Sequence, residues 1–352
     1  MAFLTGWTKR APITVDATKV GSGGVSAFPM LVPVTLPDAV IAGLAYTDGR
    51  DLRFCNDAAD VTYPHELVSI DTVAKTCQVW VKVPTILSVA DTVIYANIGN
   101  PAATMPSAAE QQATWASAVE AAWHFEQPTG AVLDSTENAN NSTLRQSAYT
   151  ASGKIDAGEA FVPIQRIEVP IATAPETGTV SIAAWVRSTS TVLEHNVIAG
   201  NQVCANRYMV GIEISTHPRV FWYTIDDGVG FQCVIDSAKT YLNQWHLLRW
   251  EWGGGFRIYE DGLLIGSAAK ATSPIINGTW WLGNDIYDSR LRGQLDEASV
   301  TTASRNAAWA LTEYNNQSAP GTFSAWGAVE TLSSGTRLFH PRLNAGFNPR
   351  LY

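Results

Sequence analysis

The stretch WHLLRWEWGGGFRIYEDGLLIG, residues 245–266, decides the fold of this chain. Apolar and polar residues alternate on both sides of the dipeptide Asp261-Gly262. That dipeptide favours a type I′ turn, in which both central residues have positive φ. The stretch therefore predicts two antiparallel strands joined by a two-residue hairpin turn.

Alternating runs of the same kind lie on both sides of this hairpin, about 8–12 residues apart, which is the spacing of a β-sandwich. They include VSIAAWVRS, YMVGIEIS, RVFWYTID and TWWLGND. We therefore predict a jelly roll or a related sandwich over residues 123–331. Residues 6–100 contain a second set, such as APITVDATKV and CQVWVKVPTI, which predicts a smaller antiparallel sandwich.

The composition favours an all-β chain with two domains. The chain has 352 residues, of which 46% are hydrophobic and only 16% are charged, with 27 Gly and 17 Pro. This length allows two cores of ordinary size. Frequent Gly and Pro with few charged residues favour short strands and tight turns over long surface helices.

Two segments change to a helical period. Ser107 and Glu110 fit a capping box, which predicts a short helix that links the domains. Near the C-terminus, Ala307, Leu311 and Tyr314 stand at helical spacing and predict a short closing helix. The predicted organisation is a β-sandwich over 1–104, a helical linker over 105–122, the jelly roll over 123–331 and an arm over 332–352.

The charge balance argues against two classes of partner. A formal net charge of −9 would repel nucleic acid and an anionic membrane surface, so we expect neither as a partner. No run approaches the roughly 18 apolar residues of a membrane span. The first residues, MAFLTGWTKRAPITV, lack the features of a secretory signal. The four cysteines show no zinc-site spacing, and we expect no disulfides in a reducing compartment.

Short motifs in both halves resemble known families. ITVD, FPMLVPV, DGRDLRF, PHELVS, WVKVP and DTVIYANIGNP resemble a bacterial and phage domain of unknown function that typically precedes a concanavalin A-like module. AAWHFEQ, LDSTENANNST, VSIAAWVRS and GQLDEASV resemble the laminin-G-like, concanavalin A-like jelly-roll family. This resemblance implies two sandwiches and a function among sugar binders, adhesins and structural modules. Envelope proteins of this kind usually carry a secretion signal, so its lack here favours a phage particle assembled in the host cytoplasm.

The adjacent carboxylates Asp296 and Glu297 are candidates for catalysis, for metal binding or for a structural role. A retaining glycosidase needs two carboxylates about 5 Å apart. The resembling glucanases supply them at alternating positions, as E-x-D-x-x-E, and this chain has no such motif. Neighbouring residues of a regular strand point to opposite faces, so we predict structural carboxylates and no enzymatic activity.

Sugar sites typically combine exposed aromatic side chains with amide or acidic groups. The candidate glycan-binding residues are Trp222, Tyr223, Asp226, Trp281, Asn284 and Asp285. Because neighbouring strand residues face opposite ways, one of Trp280 and Trp281 is expected in the core and the other is free to stack.

The loop LDSTENANNS, residues 133–142, is rich in oxygen ligands. Asp134, Asn138 and Asn140 are candidate calcium ligands, and calcium is the one cofactor that the sequence leaves open. The alternative is a loop whose side chains cap its own backbone, since Asx residues equally form turns. The sequence pattern favours this second interpretation.

The last residues form a basic segment that is interrupted by Pro and Gly on an acidic chain. The candidate docking residues are Arg337, His340, Arg342, Arg350 and Tyr352. We predict that this arm docks on other virion proteins or on a second copy of the chain. Deletion of residues 333–352 should then leave a soluble, folded protein that does not incorporate into particles.

Together these observations predict a non-enzymatic structural protein on the surface of a tailed bacteriophage virion. It would be a capsid decoration, a head fibre or a tail-associated adhesin, with a host glycan as candidate ligand. The first alternative is a carbohydrate-binding, lectin-like protein of the bacterial surface or an exported one. A glycoside hydrolase or lyase is the third interpretation.

Overall fold

The computed structural model describes residues 2–115, 118–162, 164–171, 179–191, 194–201, 207–214, 218–226, 229–269, 278–284 and 290–332. Within them the chain forms antiparallel sheets with a few short helices, which confirms the all-β prediction. None of the helices in this part combines the length and apolar character of a membrane crossing.

The strands and helices have the following bounds. The first strands are β1 (Lys9–Val15), β2 (Val25–Leu31), β3 (Arg53–Cys55), β4 (Thr62–Tyr63), β5 (His65–Asp71), β6 (Thr76–Ile86) and β7 (Thr92–Ile98). They are followed by β8 (Val119–Trp123), β9 (Leu144–Arg145), β10 (Ala148–Thr150), β11 (Gly158–Phe161), β12 (Ile167–Ile171), β13 (Val180–Ser188), β14 (Glu194–Asn201), β15 (Arg207–Ile214), β16 (Arg219–Asp226), β17 (Val229–Asp236), β18 (His246–Trp252), β19 (Phe256–Glu260), β20 (Leu263–Ala268), β21 (Gly278–Leu282) and β22 (Gly293–Thr301). The last are β23 (Ser324–Trp326) and β24 (Glu330–Thr331). The helices are α1 (Asp38–Ile41), α2 (Ala108–Gln112), α3 (Ala307–Ser318) and α4 (Pro320–Phe323), with a 3₁₀ turn at Ala17–Lys19.

The N-terminal sandwich consists of two sheets. One has the strand order β23-β1-β7-β3-β4, with β24 also paired to β1, and the other has the order β2-β6-β5. Every second residue of β1 points to the inner face of its sheet. Ala11, Ile13 and Val15 are therefore all buried in the core between the two sheets. Phe28 and Val81 contribute to the same core from the second sheet.

The C-terminal segment returns to this N-terminal sandwich and completes it. In β23, Trp326 pairs with Ile13 of β1. Trp309 of α3 packs edge-on against Phe28 with ring centroids 5.0 Å apart, and Phe323 is fully buried in the same core. The structure therefore joins β23 and β24 to the N-terminal sandwich and packs α3 against it, although the sequence assigned all of these residues to the jelly roll.

The second domain is a jelly-roll sandwich with its own core. One sheet has the order β10-β11-β22-β13-β18-β19-β20, with β8 also paired to β22, and the other has the order β17-β16-β15-β14-β21-β12-β9. The hairpin prediction is confirmed, because Asp261 and Gly262 have φ values of 50° and 79° between β19 and β20. Tryptophans from both sheets fill the core, including Trp123, Trp222 and Trp250.

The two predicted helices form, with differences. The capping box of Ser107 and Glu110 is present at the start of α2, but the helix ends at Gln112. In α3 the Asn306 side chain accepts a hydrogen bond from the Trp309 backbone and caps the helix. The buried face of α3 differs from the predicted one, because the helix lies between the two domains and buries polar side chains as well. The predicted residue Ala307 is exposed and Leu311 and Tyr314 are only half-buried, whereas the buried residues are Trp309, Ala310, Thr312, Glu313, Asn316 and Gln317.

Candidate functional site

Asp296 and Glu297 lie at a break in the pairing of β22. Along one edge, β22 pairs first with β11, up to Leu295, and then with β8, from Ala298 onwards. Along the other edge, Asp296 pairs with Trp185 and Ser299 pairs with Ala183, so β22 has one extra residue. Glu297 has a φ of 49°, a rare conformation outside glycine. This is a β-bulge.

The bulge brings both carboxylates to the same side of the sheet. Leu295 and Ala298 on either side belong to the jelly-roll core, whereas Asp296 and Glu297 contact groups outside that core. The expectation that the two side chains face opposite ways is therefore wrong. It assumed a regular strand, and the extra residue of the bulge shifts the alternation by one position.

Asp296 fastens a neighbouring turn to the sheet. Its Oδ2 accepts hydrogen bonds from the backbone N–H groups of Lys154 and Ile155, both at 2.8 Å, and its Oδ1 accepts one from Glu297 N–H at 2.8 Å. The side chain is fully buried. Burial, together with the charge of Glu297, raises the pKa of Asp296 well above its ordinary value. The contacts of Asp296 are those of a structural carboxyl group.

Removal of this carboxyl group should destabilise the protein. We expect Asp296→Ala to lower the free energy of unfolding by about 2–3 kcal/mol, because three backbone N–H groups lose their acceptor. The matched variant Asp296→Asn keeps a carbonyl oxygen and should lose less. Urea unfolding of the three proteins measures both values, and an Asp296→Ala protein as stable as the wild type would contradict this role.

Glu297 belongs to an ionic cluster that joins the two domains. Its Oε2 lies 2.7 Å from Nδ1 of His124, which follows β8, and its Oε1 accepts a hydrogen bond from Gln78 Nε2 of β6 at 2.7 Å. Nε2 of His124 lies 3.3 Å from Oε2 of Glu66 in β5. Burial disfavours a charged imidazole, but the two carboxylates outweigh this and raise the pKa of His124 well above its ordinary value. A protonated His124 therefore bridges a carboxylate of each domain.

Aromatic rings and hydrogen bonds enclose this cluster. Trp80 stacks on His124 with ring centroids 5.5 Å apart and an interplanar angle of 24°, and Trp115 lies at 5.3 Å. Glu66 accepts hydrogen bonds from the Trp115 indole N–H and from the Ser135 hydroxyl. Burial would raise the pKa of Glu66, but the His124 charge and these hydrogen bonds lower it. We call Glu66, Gln78, His124 and Glu297 the junction cluster.

A second buried ion pair attaches α3 to the jelly roll. The guanidinium of Arg249 in β18 binds both carboxylate oxygens of Glu313, with Nη2–Oε1 at 2.6 Å and Nε–Oε2 at 3.0 Å. On the other side, Asn316 accepts a hydrogen bond from Leu31 N–H at 2.9 Å and donates one to Leu31 C=O at 2.8 Å. The helix therefore contacts both domains through side chains that are specific to each. The sequence pattern predicted the helix but none of these partners.

Glu126, beside the junction cluster, gives the protein a pH dependence. Its Oε1 accepts a hydrogen bond from Ala157 N–H at 3.1 Å. Burial raises the pKa of Glu126 to about 8, with further contributions from the charges of Asp156 and Glu297 and an opposing one from His124.

The sign of this effect follows from proton binding. Between pH 4.5 and about 8 the folded protein holds a proton on Glu126 that the unfolded chain releases, so the free energy of unfolding should fall as pH rises. We expect Glu126→Gln to remove the part of the fall in unfolding free energy that Glu126 causes. Denaturation of both proteins from pH 5 to 9 measures it, and parallel profiles would contradict the prediction.

The candidate glycan-binding residues do not form one described cluster. Trp222 is fully buried in the jelly-roll core, 4.3 Å from the Phe256 ring, so it cannot stack on a sugar. Trp280 is also fully buried, whereas Trp281 is half-buried with the Arg166 guanidinium 4.0 Å above its ring. This agrees with the expected opposite orientation of that pair. Asn284 is buried.

Three of these candidates have no described side chain. Tyr223 and Asp226 lie in β16, where only the backbone of these residues is described, and Asp285 lies outside the described residues. A sugar site that uses them stays a prediction.

The candidate calcium loop is closed by its own hydrogen bonds. Asp134 Oδ1 accepts from the N–H groups of Ala122 and Thr136, and Oδ2 accepts from Asn140 N–H and the Thr136 hydroxyl, at 2.7–3.0 Å. The Asn138 and Asn140 amides both donate to the Glu120 carbonyl. In this arrangement a calcium ion would have to displace four donors from Asp134. In the described part of the chain, no three His, Cys, Asp or Glu side chains are grouped as metal ligands.

The candidate docking residues Arg337, His340, Arg342, Arg350 and Tyr352 lie outside the described residues. The last described contact before them is a hydrogen bond from Leu332 N–H to Thr8 C=O at 2.8 Å. The arm therefore follows a segment that lies beside β1. Its role in docking stays a prediction.

Comparison with known families identifies both domains. Residues 48–141 match a domain of unknown function (DUF2341), and residues 165–310 match the concanavalin A-like lectin/glucanases superfamily. The chain therefore carries the first domain followed by the second, which confirms the predicted architecture. No curated protein matches the chain.

Several solved structures resemble part of the chain. Domain 4 of AbnA, an extracellular arabinanase of Geobacillus stearothermophilus solved with arabinotriose, has 16% identity and a TM-score of 0.45, covering 56% of this chain and 98% of that domain. The binding domain of Paraclostridial Mosquitocidal Protein 1 has 12% identity and a TM-score of 0.46, covering 56% and 52%. The botulinum neurotoxin serotype G binding domain has 14% identity and a TM-score of 0.46, covering 56% and 50%. The chain thus spans about half the length of these toxin domains, and no functional assignment follows from likenesses this distant.

Proposed function

We propose that this chain is a non-enzymatic structural component of a tailed bacteriophage particle, exposed on its surface. The observation that supports a non-enzymatic role is the position of the acid pair. Asp296 holds backbone N–H groups, and Glu297 is bonded to His124 and Gln78 between the two domains. Both side chains are buried, at 0% and 7% exposure, so neither is presented to a substrate.

A particle component also needs contacts with other virion proteins or with copies of itself. In this proposal the arm supplies them, since residues 333–352 contain three Arg and no Asp or Glu, whereas the whole chain is acidic. The arm follows Leu332, which is fixed beside β1 at the edge of the N-terminal sandwich. The jelly roll would then face away from the particle.

Deletion of the arm tests this proposal. We expect a chain without residues 333–352 to keep the circular dichroism and melting temperature of the full chain, because residues before them form the cores of both domains. Particles produced with the truncated chain should lack it when their protein content is measured by mass spectrometry, whereas a full-length Trp281→Ala chain should be present. Truncated chain at full occupancy, or full-length chain absent from purified particles, would contradict the proposal.

The half-buried Trp281 favours glycan binding as a second candidate function. Its ring lies on the outer side of the jelly roll beneath Arg166, and aromatic rings in such positions stack on sugars. A glycan array measures this directly. Saturable binding that Trp281→Ala abolishes would support a lectin-like protein. An array without signal would argue against glycan binding and leave the structural role as the proposed function.

A further inference from the structure

A cleft of the N-terminal sandwich has a volume of about 500 Å³, and none of the residues of the junction cluster lines it. Its size falls within the range of about 300–1,000 Å³ that is common for small-molecule sites. The walls are formed by the first residues of the chain, by β4 and by α2. The lining residues used below are Trp7, Arg53, Thr62, Tyr63, His65 and Glu110.

Arg53 presents an incompletely used guanidinium to this cleft. Its Nη1 donates to the carbonyls of Leu52 at 2.6 Å and Arg50 at 3.0 Å, and its Nη2 donates to the carbonyl of Thr104 at 2.9 Å. These bonds use three of the five N–H donors and fix the side chain. The Nε–H and one Nη2–H make no hydrogen bond to the described residues, and no described carboxylate oxygen lies within 4.0 Å of the guanidinium.

The described ionisable groups around Arg53 form no ion pair with its guanidinium. His65 is neutral at pH 7, because burial and the Arg53 charge lower its pKa to about 4. The Glu110 carboxylate is held by Ser107, whose backbone N–H and hydroxyl donate to Oε2. Asp51 is buried and accepts hydrogen bonds from backbone N–H groups of Ala45 and Gly99. Burial lowers the pKa of Arg53, against the opposing charges of Glu110 and Asp51, so its guanidinium is partly removed from water.

Aromatic and hydroxyl groups stand on the same walls. The indole N–H of Trp7 donates to the Asp51 carbonyl at 2.6 Å, which fixes the ring at the cleft. Tyr63 is half-buried and Thr62 is exposed. Aromatic rings bind the apolar faces of sugars, hydroxyl and carboxylate groups bind their hydroxyls, and an arginine with two free N–H donors binds a carboxylate.

From this combination we propose that the cleft binds an acidic sugar, with the sugar carboxylate on Arg53 and the ring against Trp7 or Tyr63. The site lies in the domain of unknown function and not in the jelly roll. It is independent of the proposed virion role, because it depends only on the geometry of the N-terminal sandwich. An acidic sugar also fits better than a simple anion, since a small ion would leave the aromatic walls unused.

A comparison on the unmodified full chain tests the carboxylate directly. Trigalacturonate and its methyl ester differ only in the charged groups, and 3′-sialyllactose and its carboxyl methyl ester form a second pair. We expect the acid of at least one pair to bind about ten times more tightly than its neutral partner, or tighter still. Calorimetry and ligand-observed NMR measure both affinities. Equal affinities within both pairs, or no binding of either acid at millimolar concentration, would overturn the proposal.

Variants then locate the site. Arg53→Lys keeps a charge but loses the planar pair of donors, so it should weaken binding about tenfold or more. The control Arg50→Lys changes a half-exposed arginine that pairs with Asp48, and it should bind like the wild type. Thr62→Val changes a second, exposed residue on the cleft wall and should also weaken binding. Melting temperatures establish that each variant is folded. Unchanged affinity in both Arg53→Lys and Thr62→Val would show that the sugar binds elsewhere. A neutral peptide with a free C-terminal carboxylate serves as a further control, and if it binds as tightly as the acidic sugar, the assignment to sugars is overturned.

Discussion

Replacement of His124 by Phe is expected to lower the free energy of unfolding by about 3–5 kcal/mol, the usual cost of removing one partner from a buried ion pair. The phenyl ring can keep the contacts with Trp80 and Trp115, so the loss would report on charge more than on packing. Without the imidazolium, the buried Glu297 and the largely covered Glu66 become two carboxylates with no cation between them. Guanidinium chloride unfolding at pH 7 measures the difference.

A background without these charges provides the control. In a protein that carries Glu66→Gln and Glu297→Gln, the same His124→Phe change should cost much less. As a surface reference, the exposed pair Lys75–Asp38 should contribute less than about 1 kcal/mol when Lys75 is replaced by Met. Similar losses in both backgrounds would show that the junction cluster has no electrostatic role.

The raised pKa of His124 sets the pH range of this contribution. The folded protein holds the proton more tightly than the unfolded chain, so the stabilisation is complete below the ordinary histidine pKa of 6.5. It is lost as pH rises through the higher pKa of the folded protein. His124→Phe should therefore approach the wild type in stability at alkaline pH, which a series of unfolding curves would show.

The sequence predicted the features that depend on neighbouring residues. Alternation marked the strands of both sandwiches, the Asp261-Gly262 dipeptide marked a hairpin, and Ser107 with Glu110 marked the start of a helix. Each of these signals arises within a few residues, because turn and cap geometry are local. They were sufficient for the fold class and for most element positions.

The candidate site required information from distant parts of the chain. The bulge at Glu297 forms where β22 changes its partner from β11 to β8, and no local pattern records that change. His124 and Glu297 are 173 residues apart in the sequence. Alternation also showed that Trp280 and Trp281 face opposite ways, but it did not show that the candidate Trp222 faces the core. The identity of the inner face depends on which sheet packs on which.

A fragment of residues 1–104, which ends at the domain boundary expected from the sequence, should not fold, whereas the same fragment joined to residues 306–332 should fold. The reason is that the N-terminal sandwich is discontinuous. Strand β1 pairs with β23 and β24, and the core between its two sheets contains Trp309 and Phe323. NMR amide dispersion and near-ultraviolet circular dichroism distinguish the two outcomes.

The magnitude of the missing contacts supports this expectation. Loss of a buried Trp or Phe side chain typically costs about 3–5 kcal/mol, and a domain is stable by only about 5–15 kcal/mol in total. The short fragment lacks both rings and also lacks β23 and β24, which pair with β1. It therefore loses most or all of that stability. A joined fragment that carries Trp309→Ala and Phe323→Ala keeps the strands but lacks the rings, and it should fail like the short fragment. Cooperative unfolding of residues 1–104 alone would show instead that the returning segment only covers a core that is already complete.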